Sequence, residues 1–226
     1  MVLFIFDIDG TLIADNHVAT KAFQQSIKDF FNITGYCQQW DKYTEDSDIG
    51  IIKQIVKDYL HRVITWQEIT AFQDHYLKCF QSFINTQKYK VTPVEGISDF
   101  FHDMKKNEVR SAIFTGGFPK VALKKLEMIS MDTNLLLSSA FDGLSRECIF
   151  DKCLRQAKTM YELETDKIIL FGDALSDIKI SKKYNLPLVG ITTHISKEEF
   201  YAQGVTHTLA NFRNINVKEL LRYVYC

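Results

Sequence analysis

Two aspartates stand two residues apart in Asp7-Ile8-Asp9-Gly10-Thr11, directly behind the apolar run Val2 to Phe6. On extended chain that spacing turns both carboxylates to one side. If the run is a strand, both emerge at its carboxyl end, where open α/β sheets bind their ligands. Two ionised carboxylates this close repel, and one is expected to rise in pKa unless a cation sits between them. An all-oxygen donor set suits a hard ion such as magnesium. A solvated Asp-Gly turn is the bland alternative. It explains a lone Asp-Gly better than it explains this pentapeptide behind a buried strand.

A second acidic pair lies in Gly172-Asp173-Ala174-Leu175-Ser176-Asp177, again after an apolar run, Ile168 to Phe171. A spacing of four brings Asp173 and Asp177 to one side if a helix opens between them. Alone this would pass for an ordinary acidic helix start; beside the first motif it points to a shared metal site. A third element, Phe114-Thr115-Gly116-Gly117, offers a hydroxyl and the amides of a glycine-rich turn before a helix, which together make a seat for phosphate.

Positioning these groups requires strands that end side by side. Apolar runs at Val2 to Phe6, Ser111 to Phe114, Leu135 to Leu137, Ile168 to Phe171 and Leu188 to Ile191 read as strands buried on both faces of a parallel sheet. Helical patterns alternate with them at Val94 to Lys105, Lys120 to Met128, Ile149 to Tyr161 and Leu175 to Tyr184. The expected fold class is therefore α/β, a doubly wound, mainly parallel, Rossmann-like sheet. From about Asn16 to Lys90 the alternation stops. Apolar residues there recur at helical spacing around Ala22 to Phe31, Ile51 to Leu60 and Ile69 to Phe83. The expected organisation is an α/β core of residues 1–15 and 91–226 with a helical cap, 16–90, inserted after the first strand.

The three motifs, in this order, resemble the haloacid dehalogenase superfamily. The stretch from Val94 to Ile191 is similar to its phosphoglycolate-phosphatase-like and β-phosphoglucomutase-like branch, whose small helical cap sits where the insert falls. The resemblance implies a phosphatase with Asp7 as nucleophile, Asp9 as general acid and base, and Thr115 holding the phosphoryl group with Gly116 and Gly117. It implies a Mg2+ site made by Asp7, Asp173, Asp177 and the Asp9 carbonyl. The family also uses a Lys or Arg to neutralise the phosphate, but its familiar Lys-Pro pair is missing here. By position Arg146, just before the helix expected from Ile149, is favoured over Lys152, which falls a turn inside that helix. Arg suits the role because its fork matches phosphate oxygens. True dehalogenases lack the second carboxylate, so Asp9 argues against that activity. The remaining alternatives are a phosphotransferase or mutase with the same residues, and a protein that kept the fold only for binding.

Composition narrows the field further. Hydrophobic residues make up 46% and charged residues 24%, with a formal net charge of -1. A sizeable core is affordable, and neither nucleic acid nor an anionic membrane is an expected partner. A small phosphate ester is, bound by a monomer or homodimer. The five cysteines, Cys37, Cys79, Cys148, Cys153 and Cys226, form no CxxC pair. Reduced thiols in a cytoplasm are expected, with neither a disulfide framework nor a structural zinc site. The histidines at 17, 61, 75, 102, 194 and 207 show no metal-ligand spacing. Ser47-Asp48 reads as an N-cap for the helix carrying Ile51 and Ile52, a role preferred for Asp48 over one facing the site.

Overall fold

The computed structural model describes residues 1–15, 17–86, 90–162 and 167–225, with Asp41 described by its backbone only. Asn16 and residues 87–89, at the expected limits of the insert, and Cys226 lie outside the described residues.

Every apolar run becomes a strand within a residue or two of its expected limits. β1 spans Val2–Phe6, β2 Arg110–Phe114, β3 Leu136–Ser138, β4 Lys167–Gly172 and β5 Leu188–Ile191. A sixth strand, β6 (His207–Leu209), was not expected; it is short and half-buried, so no apolar run announces it. The strands form one sheet in the order β3-β2-β1-β4-β5-β6, parallel throughout. Phe6 pairs with Ile113 on one side and Phe171 on the other. The carboxyl ends of β1, β2 and β4 are therefore level, and the residues after them meet.

Period-two alternation divides the core into two faces. Phe4, Phe6, Ile169 and Phe171 point to one face, where they pack with Phe100, Met104, Phe212, Val217 and Leu220. Leu3, Ile5, Ile168 and Leu170 point to the other and meet Ile149, Phe150, Cys153, Ala157 and Phe200. The first face is covered by α4 (Ile97–Lys106), α5 (Pro119–Met128) and α9 (Val217–Tyr225). The second is covered by α6 (Arg146–Met160), α7 (Leu175–Tyr184) and α8 (Lys197–Ala202). This is the doubly wound α/β architecture expected from the alternation.

Between β1 and α4 the described residues form three further α-helices, α1 (His17–Phe31), α2 (Asp48–Leu60) and α3 (Trp66–Asn85), with a short 3-10 turn at Trp40–Lys42. They carry a hydrophobic cluster of their own, with Phe23, Phe31, Ile52, Phe72, Tyr76 and Phe80 at its centre, joined by Phe118, Val121 and Ala140. Thr65 opens α3 with a capping box, its hydroxyl accepting from Glu68 N–H while the Glu68 carboxylate accepts from Thr65 N–H. Among the described residues no helix is long and apolar enough to cross a membrane.

Candidate active site

The first motif leaves β1 in a tight turn. Asp7 N–H donates to Phe171 O at 3.0 Å, which ties the first residue after β1 to the last turn-facing part of β4. Gly10 adopts φ +83°, and a Cβ there would lie 1.9 Å from Asp173 Oδ2. Glycine is thus required twice over, for its backbone conformation and for the approach of the second motif. Gly10→Ala is expected to destabilise the fold by about 1–3 kcal/mol from backbone strain, and more if Asp173 must move. The check is chemical denaturation of the variant; a midpoint shift confined to a few tenths of a kcal/mol would refute the reading.

The second motif closes in the same way. A Cβ on Gly172 would fall 2.4 Å from the Asp177 carboxyl carbon. That space lets Asp177 Oδ2 accept from Asp173 N–H at 3.1 Å and Ala174 N–H at 3.0 Å. Thr11 Oγ1 donates to Asp173 Oδ1 at 3.4 Å, joining the two motifs. Asp7, Asp173 and Asp177 are all buried, and one oxygen of each lies within 4.8 Å of the others.

Arg146 is the cation beside this cluster. Its Nη2 stands 3.1 Å from Asp7 Oδ1 and 3.0 Å from Asp177 Oδ1, with the guanidinium over the Phe114 ring. It is not the residue before the helix, as the sequence suggested. Ser145 caps α6, accepting from Cys148 N–H, and Arg146 is its first residue. The missed start follows from a first turn, Arg-Glu-Cys, with no apolar period to mark it. Lys152 points elsewhere and pairs with Asp142 at 2.5 Å.

Charge is not balanced here. Burial pushes the Asp7 carboxyl up to about 7, with Asp177 and Asp9 adding to the rise and Arg146 opposing it. Burial, then Asp7 and Asp177, push Asp173 up to about 9. Asp7 Oδ1 is buried without an aligned hydrogen bond, despite the nearby guanidinium. Three buried carboxylates with one guanidinium and an orphaned oxygen fit a divalent cation with oxygen ligands.

The Asp9 carboxylate takes no part in that cluster. It turns to Lys125 of α5, whose Nζ donates to Asp9 Oδ1 and Oδ2, both at 2.7 Å. The expected four-carboxylate grouping is therefore three, and any share of Asp9 in holding a metal falls to its carbonyl. Lys125 is buried, 7% exposed along its side chain. The sequence does not single it out, because three lysines on one helix, Lys120, Lys124 and Lys125, have a solvated basic face as their ordinary explanation. The available signal was its place in the buried stripe Val121, Ala122, Lys125, Leu126.

The third motif follows β2. Thr115 N–H donates to Ser138 O at 3.0 Å, and Thr115 Oγ1 accepts from Gly117 N–H at 3.1 Å. Phe118 N–H donates to Asp48 Oδ2 at 3.0 Å. Of the amides in this turn, Gly116 N–H alone has no partner among the described residues, so the seat is narrower than a fully open glycine loop. Asp48 is the second residue to correct. Ser47 caps α2, accepting from Gly50 N–H, while the Asp48 side chain reaches across to the core and lines the site. Burial pushes its carboxyl up to about 7, against the Phe118 amide and Lys125.

All three motifs open on one cavity of about 940 Å³. Asp7, Asp9, Thr115, Gly116, Gly117, Arg146 and Asp173 line its core side; Phe23, Trp40, Tyr43 and Tyr76 line the helical side. The segment 46–48 is stitched to the core around its rim. Arg146 N–H donates to Asp46 Oδ1, Ser47 N–H to Leu144 O and Asp48 N–H to Gly116 O. His17 is exposed beside Asp15 and does not line the cavity; His194 does.

The haloacid dehalogenase-like hydrolase family matches residues 4–191. The chain belongs to this family and is a hydrolase. No curated protein matches it by sequence. Solved structures similar to it include a haloacid dehalogenase hydrolase from Entamoeba histolytica, at 15% identity and a TM-score of 0.73, with 100% of both chains covered. A hydrolase from Pseudomonas syringae superposes at 0.72 with 15% identity and the same coverage. CbbY from Rhodobacter sphaeroides in complex with phosphate superposes at 0.70 with 14% identity, over 95% of this chain and 96% of that one. At these identities the likeness is one of fold.

Proposed function

We propose that the protein is a magnesium-dependent phosphatase that hydrolyses a small phosphorylated metabolite through an aspartyl-phosphate on Asp7. The observation that carries the reading is the orphaned Asp7 Oδ1, buried between two further carboxylates and the Arg146 guanidinium. Asp7, Asp173, Asp177 and the Asp9 carbonyl would hold the ion. When bound, it supplies positive charge that lets an anionic nucleophile approach an anionic ester.

The side chains divide the remaining work. Asp7 attacks phosphorus and displaces the ester oxygen, which takes a proton from Asp9. Water then attacks the aspartyl-phosphate, giving its proton to Asp9 and restoring Asp7 as phosphate leaves. Arg146 and Thr115, with the Gly116 and Gly117 turn, hold the phosphoryl oxygens, and positioning of this kind is most of phosphoryl-transfer catalysis. The inserted helices, residues 16–90, act as a lid that excludes water and selects the leaving group. A cavity walled by aromatic rings and small polar groups suits a metabolite such as a sugar phosphate. CbbY, one of the similar structures, has been crystallised with xylulose-1,5-bisphosphate. Cys37, Cys79, Cys148 and Cys153 are free thiols, which supports a cytoplasmic setting.

The test is a panel of phosphate monoesters assayed with magnesium and with excess chelator. Release of inorganic phosphate that needs the metal is the expected result; full turnover in chelator would exclude the reading. An isomerised sugar phosphate in place of free phosphate would mark a mutase instead. Metal affinity should also rise with pH. The folded Asp7 and Asp173 keep protons up to about 7 and about 9 instead of 3.8. The ion must expel those protons, so binding tightens as pH climbs through that window. Calorimetric titration at pH 6 and pH 8, in buffers of different ionisation heat, measures both the affinity and the proton release.

A further inference from the structure

We propose that Asp29, His75 and Cys79 form a zinc site that clips α1 to α3, far in chemistry from the all-oxygen centre. His75 and Cys79 stand four residues apart on α3 and so share one face, a turn apart. Asp29 of α1 faces them. One ligand atom from each lies within 4.8 Å of the other two. Cys79 Sγ is 3.5 Å from His75 Nε2, and His75 Nε2 is 3.9 Å from Asp29 Oδ2. Zinc bonds of about 2.0–2.3 Å at tetrahedral angles put neighbouring donors roughly 3.4–3.6 Å apart. The sulfur–nitrogen pair already has that spacing. The nitrogen–oxygen pair is too long for a hydrogen bond and within half an ångström or so of the zinc value.

One of the proposed ligands is held by an outer contact of the kind metal sites use. Gln25 Nε2, one turn before Asp29, donates to Asp29 Oδ1 at 2.8 Å. That bond holds the carboxylate with its other oxygen, Oδ2, turned to His75. The Phe30 ring lies beside the imidazole, its centroid 5.9 Å away. The Asp29 and His75 side chains are 40% and 33% exposed, which leaves room for ion entry and for a water as fourth ligand. A thiolate, an imidazole and one carboxylate select zinc over magnesium, and Cys79 releases its proton to solvent on binding. This runs against the sequence expectation of no structural zinc site, because the spacing pairs a histidine with a cysteine and the third ligand comes from another helix. Since α1 and α3 also present Phe23 and Tyr76 to the cavity, the clip fixes one wall of it.

The experiment is titration of the reduced, full-length protein with Co2+ while excess Mg2+ occupies the carboxylate centre. A sulfur-to-cobalt charge-transfer band saturating at one equivalent, and bleached by zinc, is expected. It should vanish in Cys79→Ser. In Gln25→Ala, whose side chain is not a ligand, affinity should fall about 10-fold. Zinc at a hundredfold excess over its Kd should raise the Tm of the wild type by on the order of 5 °C and leave Cys79→Ser unmoved. Absence of the band, a band of equal strength in Cys79→Ser, or an equal zinc shift in both proteins would overturn the proposal.

Discussion

Replacing Asp7 by asparagine is expected to abolish turnover and every trace of phospho-enzyme. The amide oxygen cannot attack phosphorus, and no neighbour can substitute. Asp173 and Asp177 are held by Thr11 and by backbone amides, and Asp9 is bound to Lys125. Removing one nucleophile from a set that works as a unit costs nearly the whole rate enhancement. Stability should move the other way. Burial and its acidic neighbours push the Asp7 carboxyl up to about 7, so a neutral isostere relieves repulsion that the apo-protein otherwise carries near neutral pH. Intact mass of quenched enzyme reads the first effect and thermal denaturation the second. A phosphate adduct surviving in Asp7→Asn would mean that another residue is the nucleophile.

Asp9→Asn should cost ~10²- to 10⁴-fold with an alkyl phosphate, the usual worth of general acid catalysis. The variant keeps the backbone carbonyl and leaves Asp7 free to attack. With nitrophenyl phosphate the leaving group needs little protonation, so the first step should be spared and the second should stall for want of a base. A pre-steady-state burst with accumulated adduct is the expected pattern. The Lys125 pair sharpens the comparison, because asparagine leaves a buried ammonium with one weak acceptor where it had a carboxylate. Loss from a misplaced side chain would strike both substrates alike; loss of proton transfer separates them. Equal impairment with both leaving groups would remove Asp9 from the acid role.

The parts of this molecule that sequence made legible are those where local pattern and burial coincide. Val2 to Phe6 is apolar without a break because both faces of β1 are covered, and the acidic motifs follow because strand ends are where a parallel sheet leaves open ground. β6 escaped because an edge strand needs no apolar run. Lys125 and Asp48 escaped for another reason. Each is polar and lies on a helix with an ordinary local explanation, a basic face for one and an N-cap for the other. Their partners, Asp9 and Phe118 N–H, are 116 and 70 residues away in the chain. A contact between residues so distant leaves no periodicity in either segment. The same holds for Asp29 and His75, which the packing of α1 on α3 brings together.

The neck of the helical insert has a consequence for how the chain folds. Val94 N–H donates to Leu12 O and Ala14 N–H to Thr92 O, both at 2.9 Å, with Ile13 bridged to Pro93. The chain thus departs and returns through one short antiparallel clasp. To the sheet, the whole excursion is a single closed loop. Closure entropy grows only as the logarithm of loop length, so a tether of a few residues in its place would save roughly 2 kcal/mol. Against that saving stands the surface of Phe118, Val121 and Ala140, which the inserted helices keep dry. At about 25 cal/mol per Å², some 80 Å² of newly wetted apolar surface would cancel the saving. The clasp lets the insert be long at little cost to assembly, and three core side chains keep it from being dispensable.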